Sequence, residues 1–174
     1  MTRDDELKLK IYAFLKDGDA NQEQTNYSGA IKSYKKALKL AKKSKDPDLV
    51  ATCMRHIATS YYDQGIYLLN TNDEKNAKNQ LENALKHQKE SFSVVMRLCD
   101  PKREAAYFFN MGKILYNLGN YSDAYDHFHT AYHYFSILYS SIYASTQLVE
   151  QYLDYIREKI PHQKPRLLRQ YKEY

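Results

Sequence analysis

The sequence predicts an all-α chain built from repeated pairs of helices. Five glycines and four prolines in 174 residues, with almost no alternation of polar and apolar positions, leave little room for β-strands. The second observation is an internal repeat, in which glycine recurs every 47 residues at Gly18, Gly65 and Gly112. Because one helix pair cannot bury its own apolar face, such pairs are expected to recur along a chain.

Three further columns of the sequence repeat at the same spacing. In the order of the repeats they are Ala30, Ala77 and Ala124; Tyr34, Leu81 and Phe128; and Ala37, Ala84 and Ala131. A residue without a side chain at the glycine position lets the second helix approach closely, and the alanines do the same from the other side. We therefore predict three repeats, at about residues 5–46, 47–100 and 101–138.

The first repeat is predicted to contain two helices. The first begins after Thr2, a good N-cap residue, and ends near Gln24. Its first turn carries three acidic residues, which the helix dipole favours at this end. The second helix covers Tyr27–Lys45, and its inner face contains Ala30 and Ala37.

An Asp-Pro pair opens each of the next two repeats, since proline fits the first turn of a helix. In repeat two the helices are predicted to run from Pro47 to about Leu69 and over about Glu74–Cys99. In repeat three they lie within Glu104–Phe135 and are separated by a turn at 118–121.

One more helix is predicted over Ile137–Ile160, of which residues 139–160 form a cap on the last repeat. Its apolar residues recur at helical spacing, and the exposed end of a repeat array needs such a cap. Residues 1–160 then make one helical domain. Residues 161–174, which begin with Pro161, make a basic C-terminal tail.

The repeat resembles the tetratricopeptide repeat (TPR), whose helix pair carries an aromatic residue, a Leu-Gly-type pair and then spaced alanine, aromatic and alanine positions. These features are clearest in Glu104–Phe135, which reads EAAYFFNMGKILYNLGNYSDAYDHFHTAYHYF. The resemblance covers about residues 5–140. The common repeat has 34 residues, so the extra residues are expected to lengthen the helices, as in long-helix TPR relatives of adaptor and motor-associated proteins. The resemblance implies a right-handed superhelical solenoid of three TPR-like helix pairs with a C-terminal capping helix.

In the TPR family the first helix of each pair lines a concave groove. Alignment to the family places a predicted partner groove at Tyr12, Leu15, Tyr62, Ile66, Phe109, Lys113 and Tyr116. Its aromatic and aliphatic groups suit an amphipathic helix or an apolar extended peptide. The alternative is that the cap helix, or tight superhelical closure, fills the groove with the protein's own side chains.

The chaperone-binding members of the family hold a C-terminal carboxylate with Lys, Asn and Arg side chains. The corresponding positions here are Leu15, Asp19, Asp63, Ala106 and Asn110. Since two of these are aspartates and none is basic, the resemblance disfavours a heat-shock co-chaperone.

The outer face of the second helix forms a run of lysines without an acidic residue. We call Lys32, Lys35, Lys36, Lys39, Lys42 and Lys43 the lysine face. Together with the net charge of +5, it predicts either a solvated surface or a contact with an acidic partner: nucleic-acid phosphates, an anionic membrane or an acidic protein tail such as those on tubulin. No helix-turn-helix, zinc-finger or RNP signature is present, which disfavours nucleic acid.

Other motifs disfavour catalysis and membrane insertion. Neither His127, His129 and His133 nor the pair Cys53 and His56 completes a metal site or a catalytic triad, and no cofactor motif is recognised. No apolar run approaches the length of a membrane span. Two cysteines and no signal-peptide pattern predict a protein of a reducing compartment, the cytoplasm.

The sequence therefore predicts a non-enzymatic protein-interaction module without metal or cofactor, acting as an adaptor or assembly subunit of a larger complex. One specific version is a cytoskeletal or axonemal component. The alternative is a small TPR chaperone or peptide-binding regulator that holds an amphipathic segment in its groove.

Overall fold

The computed structural model describes residues 2–139 and 144–160. Within these residues it contains no strand and seven α-helices: α1 (Arg3–Glu23), α2 (Tyr27–Ser44), α3 (Pro47–Asn70), α4 (Glu74–Arg97), α5 (Pro101–Asn117), α6 (Tyr121–Leu138) and α7 (Ala144–Lys159). The prediction of an all-α chain is confirmed. None of these helices is long and apolar enough to cross a membrane.

The chain divides into two compact units. Unit one, Met1–Leu98, contains α1 to α4, and unit two, Cys99–Tyr174, contains α5 to α7. The boundary lies close to the predicted start of repeat three. The predicted basic tail, residues 161–174, lies outside the described residues.

Three helix hairpins, α1–α2, α3–α4 and α5–α6, share one interlocking contact. Each glycine of the repeat lies against the large residue that follows 16 positions later: Gly18 against Tyr34, Gly65 against Leu81 and Gly112 against Phe128. A β-carbon on these glycines would come within 2.3, 2.9 and 2.7 Å of the opposing side chain, respectively. The close approach predicted from the glycine column is therefore confirmed in every hairpin.

The alanine columns form the inner faces of α2, α4 and α6. All six alanines have no exposed surface: Ala30, Ala37, Ala77, Ala84, Ala124 and Ala131. In unit one they border a core in which Ile11, Tyr34 and Ile57 are also completely or almost completely buried. The repeat seen in the sequence is thus a repeat of packing.

The turn inside each hairpin also repeats. Thr25, Asn72 and Gly119 have left-handed backbone conformations, with φ of 56°, 61° and 79°. In each turn the following residue donates its N–H to the carbonyl five residues earlier, at 2.9 Å, as from Asn26 to Asn21. This is the Schellman arrangement, which satisfies the last carbonyls of the first helix.

Thr25 is the least suited of the three residues to this turn, because a β-branched side chain disfavours positive φ. Replacement of Thr25 by Asn, the residue of hairpin two, is expected to raise the free energy of unfolding by about 1 kcal/mol. Gly119→Ala is the opposite control: its added methyl group meets no atom within 4 Å, so backbone strain alone should lower the free energy by about 1 kcal/mol. Urea denaturation checks both, and a loss of stability in Thr25→Asn would contradict the turn geometry.

The three repeats differ in the lengths of their helices. α3 and α4 have 24 residues each, whereas α2 has 18 and α5 has 17. The long α4 is therefore followed by the short α5. The prolines that begin α3 and α5, Pro47 and Pro101, stand 54 residues apart, whereas the repeat glycines keep their spacing of 47 residues. The length of repeat two therefore lies in its two helices.

The prediction of one continuous helix over Ile137–Ile160 is wrong. α6 continues to Leu138, and Tyr139 has an extended backbone, with φ of −134° and ψ of 151°. That conformation cannot continue a helix, so α7 is a separate element that begins at Ala144. Ile137 belongs to the last turn of α6, where it is 71% exposed.

Candidate functional site

The first half of the predicted groove belongs to unit one, where its residues differ in accessibility. Leu15 packs in the core, where a partner cannot reach it, whereas Tyr12 of the same helix is exposed. Tyr62 and Ile66 of α3 are half-buried.

In addition to the core that they share, α1 and α3 form a polar contact. The side-chain amide of Gln22 donates to the Asp63 carboxylate at 2.6 Å and accepts from the Ser60 hydroxyl at 2.7 Å. Ser60 is almost completely buried, so its bond to Gln22 satisfies a hydroxyl group that water cannot reach. An apolar lining was expected here, and the i, i+3 spacing of Ser60 and Asp63 on one helix was the signal that could have found the polar contact.

A second polar cluster joins α1, α2 and α3. The Tyr34 hydroxyl donates to Asp19 at 2.6 Å, and the His56 ring lies 4.8 Å from the Tyr34 ring, with Nδ1 3.7 Å from Asp19. Burial lowers the pKa of His56, the neighbouring Arg55 lowers it further, and Asp19 opposes both. Burial and the bond to Asp19 raise the pKa of Tyr34. Both side chains are therefore neutral at neutral pH, and the cluster acts by hydrogen bonding and packing.

Cys53 is fully buried, and burial raises the pKa of its thiol to about 11. Roughly one such thiol in a thousand is ionised at about pH 8, and thiolate is the reactive form. We expect iodoacetamide at about pH 8 to modify exposed Cys99 in the native protein, and Cys53 only after denaturation. Peptide mass spectrometry checks this, with Cys99→Ser as the control that isolates Cys53. Modification of native Cys53 as fast as Cys99 would contradict its burial.

The second half of the predicted groove belongs to unit two, where α7 contacts it. The ring of Tyr152 lies 6.1 Å from Phe109 and 5.5 Å from Tyr116, and it stacks on Phe128 at 4.6 Å. Lys113 covers another part of the Phe109 ring, with Nζ 5.0 Å from its centroid. α7 thus contacts the two rings that were predicted to bind a partner.

Further contacts hold α7 against α6. Val149 and Ile156 are completely buried, and the Arg157 guanidinium donates a hydrogen bond to the Tyr125 hydroxyl oxygen, which raises the pKa of Arg157. A hydrogen bond with Glu150 likewise raises the pKa of Tyr132. These contacts in the middle and the last turns of the helix make α7 an integral part of unit two.

The three histidines of α6 lie in different surroundings. The His127 ring stacks on Phe108 at 5.8 Å, the His129 ring lies 6.4 Å from Tyr125, and His133 is exposed. Burial and the charge of His133 lower the pKa of His129. Across residues 2–139 and 144–160, no three His, Cys, Asp or Glu side chains are grouped so that they could hold a metal ion.

The lysine face is the most concentrated charge of unit one. All six lysines are exposed on α2, opposite its buried alanines. Lys35 donates to the Tyr61 hydroxyl at 2.8 Å, and the ammonium of Lys36 lies 5.3 Å from the centre of the Phe14 ring. Within the described part of the chain, none of the six forms an ion pair with a carboxylate. The structure therefore brings the residues of this predicted surface together and leaves their charge unneutralised.

Comparison of the sequence with protein-family models and with curated proteins finds no match to either, so the function is inferred from the residues themselves.

Proposed function

We propose that this chain is a non-enzymatic protein-interaction module, an adaptor or assembly subunit of a larger complex, built on TPR-like helix pairs. The observation that carries the proposal is the interlock shared by three hairpins at Gly18, Gly65 and Gly112. Interlocked hairpins present helix faces that are already ordered, so association loses little conformational entropy. Superhelical stacking of the pairs, a cytoskeletal role and a cytoplasmic location stay predictions.

The lysine face is the surface that best supports this function. Its six charges are exposed and lack carboxylate partners in the described residues, which favours a partner with negative charge. By contrast, the best catalytic candidate, Cys53, is buried with a raised pKa, which argues against its use as a nucleophile.

The second candidate function is a small chaperone or peptide-binding regulator. It is favoured by Tyr62 and Ile66, which are half-buried on α3, and by the exposed ring of Tyr12 on α1. In unit two the rings of Phe109 and Tyr116 already contact Tyr152, which makes them less suited to a peptide.

A pull-down from the native source, at low and at high salt with identification by mass spectrometry, tests both candidates. For the adaptor, partners should be lost at high salt and in a variant with Lys35, Lys39 and Lys42 changed to Glu. The same partners should still be recovered with the matched double variant, in which Tyr62 and Ile66 are changed to Ala. The reverse pattern would favour the peptide-binding groove. If no partner is enriched over a helical control protein at either salt concentration, the adaptor function is wrong.

A further inference from the structure

The arrangement of the lysine face indicates the chemical class of the partner. We infer that the lysine face binds an extended glutamate- or aspartate-rich segment of a partner protein, an inference that rests on the proposed function. Its support comes from the spacing of the lysines, from their unneutralised charge and from the side chains beneath and around them.

The spacing of the lysines fits an extended chain. Lys32, Lys36, Lys39 and Lys43 follow each other at intervals of four, three and four residues, so they form one straight stripe along α2. At a rise of about 1.5 Å per residue, the stripe is about 16 Å long. An extended peptide of about five residues covers this length, and its alternate side chains, about 6.6 Å apart, point to the same side. Acidic side chains at alternate positions would therefore meet successive lysines.

The charge of the stripe costs stability in the absence of a ligand. Lysines one turn apart on a helix repel each other by about 0.2–0.5 kcal/mol per pair, and α2 contains no acidic residue to offset this. On α4, by contrast, Glu74, Glu82 and Glu90 stand among the exposed lysines. An acidic ligand would remove the repulsion on α2, so binding is expected to raise the melting temperature of the protein.

Two of the lysines are held in place by aromatic rings. Lys36 lies over Phe14, and Lys35 lies at the hydroxyl edge of Tyr61, to which it donates at 2.8 Å. Such contacts restrict the long side chains before a ligand arrives, which lowers the entropy lost on binding.

The same surroundings favour a peptide over nucleic acid or a membrane. The face contains no arginine, which is the usual residue for bidentate contact with phosphate. Phe14 lies beneath Lys36, and the Tyr61 ring is already stacked on His87 at 5.3 Å, so neither ring is a free platform for bases. α2 has no large hydrophobic side chain among the exposed ones, so nothing on it would enter a bilayer. Carboxylates need only the point charges that lysines supply.

Fluorescence anisotropy with a labelled polyglutamate peptide tests the inference. The native protein should bind the peptide, with an affinity that falls between about 25 mM and about 150 mM salt. Changing Lys32, Lys36, Lys39 and Lys43 to Glu should weaken binding by about tenfold or more. The matched control changes four exposed lysines of α4 to Glu, namely Lys75, Lys78, Lys86 and Lys89. This control alters the net charge by the same amount, and its affinity for the peptide should stay within about threefold of that of the native protein. Circular dichroism confirms that each variant is folded.

Equal losses in the two variants would show that only net charge matters, and would overturn the site. Tighter binding of a labelled DNA duplex, or of phosphatidylserine vesicles, than of the peptide at the same salt would overturn the choice of ligand. If the peptide does not bind but the pull-down still yields salt-sensitive partners, the acidic-segment inference is wrong and the adaptor function stands. If neither experiment shows binding, both are wrong.

Discussion

Replacement of Phe128 by alanine is expected to lower the free energy of unfolding by about 3–5 kcal/mol. The Phe128 side chain is completely buried, lies against Gly112 in its own hairpin, and stacks on Tyr152 of α7. Truncation therefore leaves a cavity where α5, α6 and α7 meet and removes a ring that packs against α7. Few single changes in the chain should cost more.

Urea denaturation followed by circular dichroism measures this effect. The matched control is Ile137→Ala on the same helix, which is expected to change the free energy by less than about 0.5 kcal/mol because the side chain is mostly exposed. If Phe128→Ala is too unstable to purify, Phe128→Leu should be milder, at about 1–2 kcal/mol, since leucine fills the same place in hairpin two. A loss below about 1 kcal/mol in Phe128→Ala would contradict the described packing of unit two.

Gly18→Ala is expected to lower the free energy of unfolding by about 2–3 kcal/mol, the largest effect of a single added methyl group in the chain. The new β-carbon would lie 2.3 to 2.7 Å from three atoms of the Tyr34 ring. That ring is 1% exposed and its hydroxyl is bonded to Asp19, so it cannot move aside. Gly65→Ala should cost less, about 1 kcal/mol, because its nearest neighbour is the flexible Leu81 at 2.9 Å.

Gly29→Ala is the control for this series. Its β-carbon would also approach other atoms closely, but those belong to the side chains of Asn21 and Asn26, which lie near the surface and can move. Asn26 also caps α2 by accepting from the Gly29 N–H, so its displacement costs part of a cap. We expect a net loss of no more than about 1 kcal/mol, since alanine favours a helix more than glycine does. The double variant Gly18→Ala with Tyr34→Leu should recover part of the loss. Equal thermal denaturation curves for Gly18→Ala and Gly29→Ala would show that the hairpin is more loosely packed than described.

The sequence was sufficient to predict the helix hairpins, because their determinants are local. The glycine, the alanines and the turn residue act within about 20 residues of each other, and they recur at a fixed spacing that a single sequence reveals. The end of α6 was not predictable in this way. Apolar residues continue at helical spacing beyond Phe135, so the pattern alone gives no break at Tyr139.

The two candidate surfaces, the lysine face and the groove, also differ in how far the sequence alone could predict them. The lysine face was predictable because it lies on one helix, and a helix fixes the direction of its side chains. The groove depended on contacts between helices, which position along the chain does not determine. One clue was present: Tyr152 stands 47 residues after Ala105, so a large ring replaces a buried small residue of the repeat. In the structure this ring contacts Phe109 and Tyr116.

The interlock between each glycine and the large residue 16 positions later has a consequence for how the chain folds. Closing so short a loop costs little entropy, and proteins dominated by such local contacts fold in microseconds to milliseconds. Each hairpin can therefore form soon after its own residues leave the ribosome, before the rest of the chain is synthesised. Hydrogen-exchange labelling during refolding should show amides near all three glycines becoming protected early, hairpin by hairpin.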